Sequence, residues 1–364
     1  MSHGKLDKKE RGRFYSKELA IYGTTCNQVS ELFLALEKKT NLKLAYIDGD
    51  HSNRDAFVIN HIVIGESDTQ IQLKRHFNEF DFQFFNSEMD AVVVNGNHFE
   101  ASKQLIVFNP EKEKSLEKRK GQLTEIIAFY CDGKKEEAEA YFNHHFPELE
   151  NKILLENEDD LILWFVKEFA IVAPIKGLIL AGGMSTRMGS DKSKMKYHNT
   201  DQVEHISNLM KDQGLEVFIS CREDQKAGFL NRGFQVVTDK MMGVGPMAGM
   251  CSAWMQESGT AWLAIAVDMP LINESSISQI LSSRDASKYA TCFMNEEKQW
   301  PEPLFTIWEP RAYQRMMQFI SIGISCPRKV LMNSDVKSLQ TMDQRILINA
   351  NSPEDAEMIK KILQ

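Results

Sequence analysis

The residues that could do chemistry are concentrated between Gly177 and Lys192, where a short apolar run leads into a glycine-rich, positively charged loop. Gly182 and Gly183 end the apolar run, and glycine N–H groups can approach a ligand closely because no Cβ stands in the way. Successive amides in such a turn form a concavity suited to phosphate oxygens. Arg187 and Lys192 add a planar guanidinium and a mobile ammonium. Together these groups predict a site for a polyphosphate whose charge shifts during reaction.

The spacing of the glycines separates this loop from two common nucleotide-binding motifs. A Walker A loop requires G-x-x-x-x-G-K-[ST], whereas Gly183 and Gly189 are one residue too far apart and no Lys-Ser or Lys-Thr follows. The loop also lacks the dinucleotide fingerprint G-x-G-x-x-G. The plainer alternative is a strand followed by a solvated basic loop. Two glycines, an arginine and an Asp-Lys pair after one apolar strand favour the functional interpretation.

Two aspartates follow other predicted strands of the same half of the chain. Asp239 comes after the strand 234–238, at the end where open α/β sheets bind ligands, and it either contacts a nucleobase or caps a turn. Asp268 follows the almost wholly apolar strand 262–267, so its carboxylate must meet a cation or solvent. Because Mg²⁺ prefers one or two carboxylates plus phosphate oxygens and water, Asp268 is a predicted magnesium ligand, with a turn cap as the alternative.

The pattern L-A-G-G-x-S-x-R-M-G-x-D-K resembles the signature of nucleotidyltransferases that couple an NTP to a phosphorylated acceptor. Within that group it is most similar to the molybdenum cofactor guanylyltransferases, the MobA type. The resemblance covers about residues 176–364. Later segments that resemble those of the family are the turn 241–249, Asp268-Met-Pro270, the strand 301–308 beside the family's acceptor pocket, and the segment 346–355.

This resemblance implies a role for each matching position. The implied nucleotide-binding residues are Leu180, Ala181, Gly182, Gly183, Lys192, Asp239 and Asp268, the implied catalytic residues are Arg187, Lys192 and Asp268, and the implied Mg²⁺ ligands are Asp268 and Asn351. Asp239 would accept hydrogen bonds from the N1–H and N2 amine of guanine. For Asn351, capping of a helix that begins at Ser352-Pro353 is an equal alternative.

The reaction that the resemblance implies is Mg²⁺-dependent transfer of GMP from GTP to molybdopterin or the molybdenum cofactor, with release of pyrophosphate. Two segments depart from the family pattern. Ser220-Cys-Arg-Glu-Asp224 replaces a small residue followed by Asn, and Lys196-Tyr-His-Asn-Thr200 replaces G-x-P-L. These departures affect the substrate more than the reaction class. Three alternatives therefore stay open: a cytidylyltransferase, a sugar-phosphate nucleotidyltransferase, and a non-catalytic molybdopterin-binding scaffold.

The elements that must position these residues belong to two predicted domains. A chain of 364 residues with 43% hydrophobic content can build two cores. Pro174 disfavours helix at Ala173, which places the boundary between domains 1–173 and 174–364. Strands alternate with helices in both halves, so both are predicted to be α/β. The resemblance adds a Rossmann-like three-layer αβα nucleotidyltransferase sandwich in the second half and a smaller α/β P-loop-like domain in the first.

The first half resembles the MobB-type P-loop GTP-binding proteins in its opening strand and glycine turn, and in the stretches Asp48-Gly-Asp-His51 and Asn95-Gly-Asn-His98. Where a P-loop carries Gly-Lys-Thr, the segment Tyr22–Gln28 contains no lysine that could reach the phosphates. The sequence therefore predicts a degenerate domain that does not hydrolyse GTP. Within this half, helices are predicted over residues 69–77 and 158–169.

Charge and composition limit the partners of the chain. Its net charge of −8 comes from the first 173 residues, which carry 30 acidic and 22 basic side chains, whereas the rest carries 21 of each. An acidic first half argues against nucleic-acid binding. No apolar stretch of membrane-spanning length and no signal peptide is evident, which predicts a cytoplasmic protein with no membrane partner. The expected partners are GTP and molybdopterin, with molybdoenzymes or other cofactor-synthesis proteins as further ones.

Overall fold

The structure is a computed structural model that describes residues 12–15, 17–49, 61–64, 69–72, 77–148, 153–170, 172–183, 195–341 and 343–363. The chain divides into two compact units, Met1–Ile171 and Val172–Gln364. None of the helices within these described ranges is long and apolar enough to cross a membrane.

The N-terminal unit is built on a parallel sheet of six strands in the order β2-β5-β1-β6-β7-β8. The strands are β1 (Glu18–Tyr22), β2 (Leu44–Ile47), β3 (His61–Ile64), β4 (Thr69–Gln72), β5 (Ala91–Asn95), β6 (Lys103–Val107), β7 (Ile126–Tyr130) and β8 (Leu154–Leu155). The helices are α1 (Cys26–Lys39), α2 (Glu79–Phe85), α3 (Glu113–Arg119), α4 (Lys135–His145) and α5 (Glu158–Phe169). Strands β3 and β4 form a separate antiparallel pair.

Helices cover both faces of this sheet. Strands β1 and β5 are buried along their whole length, as expected of central parallel strands. On one face, Val29 and Leu36 of α1 pack with Phe165 of α5. On the other face, Leu116 of α3 packs with Phe142 of α4. The first half is therefore a three-layer α/β unit.

The prediction of a helix over residues 69–77 is wrong. Residues Thr69–Gln72 form β4, whose backbone pairs antiparallel with β3, and residues 73–76 lie outside the described part of the chain. The neighbouring helix is α2, which begins after Asn78 because the Asn78 side chain accepts hydrogen bonds from the N–H groups of Phe80 and Asp81. The helix of this region therefore begins ten residues beyond the predicted start.

The C-terminal unit is built on a mixed sheet of seven strands in the order β11-β10-β9-β12-β14-β13-β15. The strands are β9 (Ile175–Leu180), β10 (Val217–Cys221), β11 (Gln235–Thr238), β12 (Ala261–Ala266), β13 (Ala290–Asn295), β14 (Trp300–Trp308) and β15 (Val336–Leu339). The helices are α6 (Gln202–Asp212), α7 (Glu223–Leu230), α8 (Pro246–Gln256), α9 (Glu274–Ser282), α10 (Arg311–Ser321), α11 (Pro327–Met332) and α12 (Pro353–Leu363).

The first four strands of that order are parallel, and β14 then runs antiparallel to β12 and β13. One face of the sheet is covered by α6 and α9, through side chains such as Ile206 and Ile277. The other face is covered by α8 and α10, through Trp254 and Met316. This arrangement confirms the α/β class with helices on both sides of the sheet. It also brings the carboxyl ends of β11, β10, β9 and β12 to one edge.

Candidate active site

Four neighbouring parallel strands of the C-terminal unit end level with one another. The Ala181 N–H donates to Ser220 O at 2.8 Å, the Asp239 N–H donates to Cys221 O at 2.9 Å, and the Val267 N–H donates to Leu180 O at 3.3 Å. The residues that directly follow these strands therefore lie side by side. Ligands of open α/β sheets bind at this carboxyl edge.

Two residues of this edge approach each other closely, Gly182 after β9 and Asp239 after β11. A Cβ placed on Gly182 would lie 2.5 Å from Asp239 Oδ2, nearer than real Cβ contacts allow. Glycine is therefore the residue that lets the Asp239 carboxylate reach the backbone of the loop. Gly183 has open space at the corresponding position and is exposed.

The Asp239 carboxylate accepts a hydrogen bond from a buried hydroxyl. The Ser220 Oγ donates a hydrogen bond to Asp239 Oδ1 at 2.8 Å, and Ser220 itself is buried. Burial raises the pKa of Asp239, an effect that the Ser220 hydrogen bond and the charge of Arg222 oppose. Within the described residues, no backbone N–H donates to this carboxylate, as a turn cap would require. The Asp239 carboxylate is therefore suited to accept hydrogen bonds from a ligand that presents several donors along one edge.

Arg222 supports the glycine turn, and it was not among the residues that the sequence indicated. Its Nη1 donates to Gly182 O at 3.0 Å and to Gly183 O at 3.3 Å. Its guanidinium also pairs with both oxygens of Asp224, at 3.0 Å each. Arg222 belongs to the segment that departs from the family pattern. The sequence signal that could have identified Arg222 is its position directly after a parallel strand.

Helix α8 packs unusually close to this edge. Its N-terminal turn contains Gly243 and Gly245, both at positive φ (77° and 57°), and Pro246 occupies the first helical position. A Cβ on Gly249 would overlap the Ser220 hydroxyl and would lie 3.0 Å from a Leu180 methyl group. The glycine-rich turn therefore brings the helix against the strands that carry the site.

Asp268 lies on the same edge, two residues after β12. Its carbonyl oxygen accepts the Ala350 N–H at 2.8 Å, which places Asn351 beside it. The cap of α12 is made by Ser352, since the Asp355 N–H donates to Ser352 Oγ at 3.2 Å and the Ser352 N–H donates to Asp355 Oδ2 at 2.9 Å. A carboxylate and a side-chain amide oxygen are hard ligands of the kind Mg²⁺ prefers, so this donor set fits a magnesium ion.

A cavity of about 600 Å³ extends from Asn351 along β14. Its lining is mostly polar and charged: Asn295, Glu297, Lys298, Trp300, Glu302, Arg328, Gln344, Arg345, Leu347, Ile348, Asn349, Asn351 and Asp355. The Arg328 guanidinium lies 4.6 Å from the centre of the Trp300 ring, and its Nη2 lies 3.7 Å from Glu302 Oε2. The Asn349 Oδ1 is buried and has no hydrogen-bond partner among the described residues.

The buried carboxyl of Glu302 connects this cavity to Asp268. Burial raises the pKa of Glu302, the Leu304 N–H and Arg328 oppose that effect, and the charge of Asp268 adds to it. The two carboxylates therefore influence each other electrostatically. The sequence indicated strand 301–308 but not Arg328, which comes from α11, so only the fold could show that it reaches this cavity.

The structure describes the positions of most of the predicted site residues, but not of all of them. Leu180, Ala181, Gly182, Gly183 and Asp239 meet at the ends of β9 and β11, and Asp268 with Asn351 lies at the end of β12. Arg187 and Lys192 fall within residues 184–194, outside the described part of the chain, so their roles stay predictions.

Comparison with known proteins identifies this half of the chain. The family described as "MobA-like NTP transferase domain" matches residues 177–354. The C-terminal unit is therefore similar to MobA-like NTP transferase domains over most of its length, which supports an enzyme of the nucleotidyltransferase type.

Two relatives and one solved structure share similarity with this transferase domain. A "Molybdenum cofactor biosynthesis bifunctional protein" of Synechocystis sp. is 32% identical over 182 residues, which is 50% of this chain and 52% of the relative, so the chain spans about half of that protein's length. A "Molybdenum cofactor guanylyltransferase" of Shewanella sp. is 27% identical over 191 residues, covering 51% of this chain and 95% of the relative. The structure of molybdopterin-guanine dinucleotide biosynthesis protein A from Archaeoglobus fulgidus has 22% identity and a TM-score of 0.44, covering 52% of this chain and 98% of its own.

Proposed function

We propose that the transferase domain catalyses the Mg²⁺-dependent transfer of GMP from GTP to molybdopterin or the molybdenum cofactor, releasing pyrophosphate. The observation that carries this proposal is the contact of Gly182 with Asp239, on the sheet edge that also holds Asp268. A phosphate-binding turn, a base-binding carboxylate and a metal-binding carboxylate are the three parts that such a reaction needs. The relatives named as a molybdenum cofactor guanylyltransferase and as a bifunctional protein of molybdenum cofactor biosynthesis support the choice of substrates.

In this proposal the Asp239 carboxylate accepts the N1–H and N2 amine of guanine, while the amides of Gly182 and Gly183 bind phosphate oxygens. Arg187 and Lys192 stabilise the charge that develops on the α-phosphate and the leaving pyrophosphate. Asp268 and Asn351 would hold Mg²⁺, which supplies charge neutralisation for the phosphates when bound.

The acceptor is a phosphate monoester, which is already ionised near neutral pH, so no general base is required. The tasks of the protein are alignment and charge neutralisation, which together contribute several kcal/mol in sites of this kind. We propose that the cavity along β14 binds the acceptor. Trp300 and Arg328 offer a flat surface, while Lys298 and Arg345 offer positive charge for its phosphate.

The proposal is tested by measuring pyrophosphate release with GTP, CTP, ATP or UTP in the presence of Mg²⁺ and molybdopterin. We expect release with GTP, and a loss of at least about 100-fold for Asp268→Asn, because a charged ligand of the metal is removed. Asp212→Asn, an exposed carboxylate at the end of α6, is the matched control and should leave turnover unchanged. Release with CTP alone would establish the cytidylyltransferase instead.

A scaffold that binds molybdopterin without turnover is the second candidate from the sequence. Thermal-shift titration with GTP and Mg²⁺ separates the two, since an enzyme of the proposed kind must bind the nucleotide. Because GTP is drawn from the cytoplasm, the proposed reaction implies a cytoplasmic enzyme whose product goes to molybdoenzymes.

We further propose that domain 1–173 is a MobB-like domain with a degenerate P-loop, joined to the transferase domain 174–364. Its parallel sheet supports this assignment. Only residues 23–25 connect β1 to α1, and the side chains of Thr25 and Gln28 cap the N-terminus of that helix. A turn this short, without a lysine, cannot wrap a triphosphate.

A further inference from the structure

Three chemically active side chains meet at the carboxyl edge of the N-terminal sheet. Cys26 is the first residue of α1, directly after the turn that follows β1. His98 lies three residues after β5, and Asp48 directly follows β2. Since β2, β5 and β1 are adjacent and parallel, the fold brings a thiol, an imidazole and a carboxylate together at one edge.

The distances between these groups allow proton transfer. Cys26 Sγ lies 3.3 Å from His98 Nε2, and the same nitrogen lies 3.6 Å from Asp48 Oδ1. His98 can therefore take the proton of the thiol, and the resulting imidazolium faces a carboxylate that stabilises it. The N-terminus of α1, a helix of 14 residues, adds partial positive charge beside the sulfur.

The surrounding residues fix the orientation of this cluster. The Asp48 carboxylate accepts hydrogen bonds from Asn95 Nδ2 at 2.9 Å, from the Tyr46 hydroxyl at 3.0 Å and from the Gly49 N–H at 2.7 Å. A Cβ on Gly49 would lie 2.8 Å from the His98 ring, so the imidazole packs directly against the backbone there. The carboxylate and the ring are thus held in place before any ligand arrives.

A fourth side chain links the cluster to the turn after β1. Asn97 Nδ2 donates to Thr24 O at 3.0 Å and lies 3.8 Å from Cys26 Sγ. This amide bridges the loop that carries His98 and the turn that presents Cys26. The turn is too short for a phosphate-binding loop, and the reactive group that it presents is the thiol of Cys26.

We propose that Cys26, His98 and Asp48 form a nucleophilic thiol site that reacts with small-molecule disulfides. In the step, His98 Nε2 takes the proton of Cys26, and the thiolate attacks one sulfur of the disulfide. A new S–S bond forms to Cys26, the S–S bond of the small molecule breaks, and its second half leaves as a thiolate. The electron pair of the thiolate makes the new S–S bond, and the pair of the broken bond leaves with the departing thiolate, so the number of S–S bonds is unchanged and no further oxidant is needed. This site is independent of nucleotidyl transfer.

The chain supplies its own matched control. Cys326 is exposed and lies at the start of α11, but it has no hydrogen bond to an imidazole among the described residues. Cys26 is only partly exposed, and the other four cysteines are buried. If accessibility alone determined reactivity, Cys326 would react faster than Cys26. The proposal predicts the reverse order.

The experiment uses the full chain as two variants, Cys326→Ser and Cys26→Ser, with an aromatic disulfide that releases a coloured thiolate. Near pH 7 we expect Cys26 to react at least about tenfold faster than Cys326, because the imidazole of His98, 3.3 Å from its sulfur, can take the proton of the thiol as the sulfur attacks. Adding His98→Asn to Cys326→Ser should remove that advantage. Mass spectrometry of the product identifies the residue that carries the disulfide.

A second measurement separates activation from access. Near pH 10, where thiols are largely ionised without help, Cys326→Ser and Cys326→Ser/His98→Asn should react at similar rates. His98→Gln serves as a replacement if the Asn variant is poorly folded by circular dichroism. The proposal is overturned if Cys326 reacts faster than Cys26 near pH 7, or if both His98 variants react as fast as the parent there.

Discussion

Replacing Gly182 by Ala tests the arrangement on which the candidate active site depends. The new Cβ would lie 2.5 Å from Asp239 Oδ2, so the carboxylate must move away. Because Ser220 Oγ holds the other carboxylate oxygen at 2.8 Å, that movement weakens a charge-assisted hydrogen bond at a half-buried position. Hydrogen bonds to charged groups contribute about 1.5–3 kcal/mol, so we expect the free energy of unfolding of the C-terminal unit to fall by about 1–3 kcal/mol.

The assay is chemical denaturation followed by tryptophan fluorescence, which reports mainly on the C-terminal unit, since Trp254, Trp262, Trp300 and Trp308 are four of the five tryptophans. Gly183→Ala is the control. It shares the loss of chain entropy in the unfolded state, but its Cβ meets nothing within 4 Å. The difference between the two variants therefore isolates the contact with Asp239.

A double-mutant cycle makes the test more specific. When Asp239 is also replaced by Ala, the nearest remaining atom to the new Cβ is Cys221 Cα at 3.6 Å, an ordinary contact. The additional cost of Gly182→Ala should then fall to within about 0.5 kcal/mol of the Gly183→Ala control. An unchanged cost without Asp239, or equal midpoints for the two single variants, would refute the proposed contact.

Three further predictions concern other parts of the molecule. Arg222→Gln removes the hydrogen bonds to Gly182 O and Gly183 O, so KM for the nucleotide should rise several-fold with a smaller change in kcat. The control Lys226→Gln, on the exposed part of α7, should leave both constants unchanged. An unaltered KM in Arg222→Gln would contradict the role of Arg222. Burial raises the pKa of Glu302 above its usual 4.5, so the folded state retains the proton to higher pH than the unfolded state, and the protein loses stability as the pH rises through this range. Glu302→Gln should therefore lose less stability than the parent between about pH 4 and pH 7. Equal losses of stability, measured by urea denaturation, would disprove this. The N-terminal unit should not hydrolyse GTP, so phosphate release by Asp268→Asn should stay at background, and turnover well above it would show a working nucleotide site in residues 1–173.

The sequence predicted the elements with strong local signals. Helix α5 was predicted over its whole length, because an Asn157 cap and three acidic residues in its first turn precede a regular apolar face. The strand before Asp268 was equally clear because its residues are almost wholly apolar, and all six residues of β12 are buried. By contrast, Thr69–Gln72 has no such signal, and its strand depends on pairing with His61–Ile64.

The site was predictable in its residues but not in its contacts. Gly182 and Asp239 are 57 positions apart in the sequence, and only the parallel order of β9, β10 and β11 brings them together. Arg222 and Arg328 escaped prediction because their roles depend on which strand ends and helices adjoin them in space. The same holds for Cys26 and His98, which the sequence presents as separate loop residues.

The close packing of α8 has a consequence for how nucleotide preference could change. The Asp239 carboxylate accepts a hydrogen bond from Ser220, and Ser220 packs against Gly249, a position at which a Cβ would overlap the Ser220 hydroxyl. Under the proposed base-binding role of Asp239, a new base preference involves interior positions 220 and 249 as well as the rim of the pocket. Libraries that vary only exposed residues would sample few working variants, whereas joint variation of 182, 220, 239 and 249 would reach alternatives that single exchanges cannot.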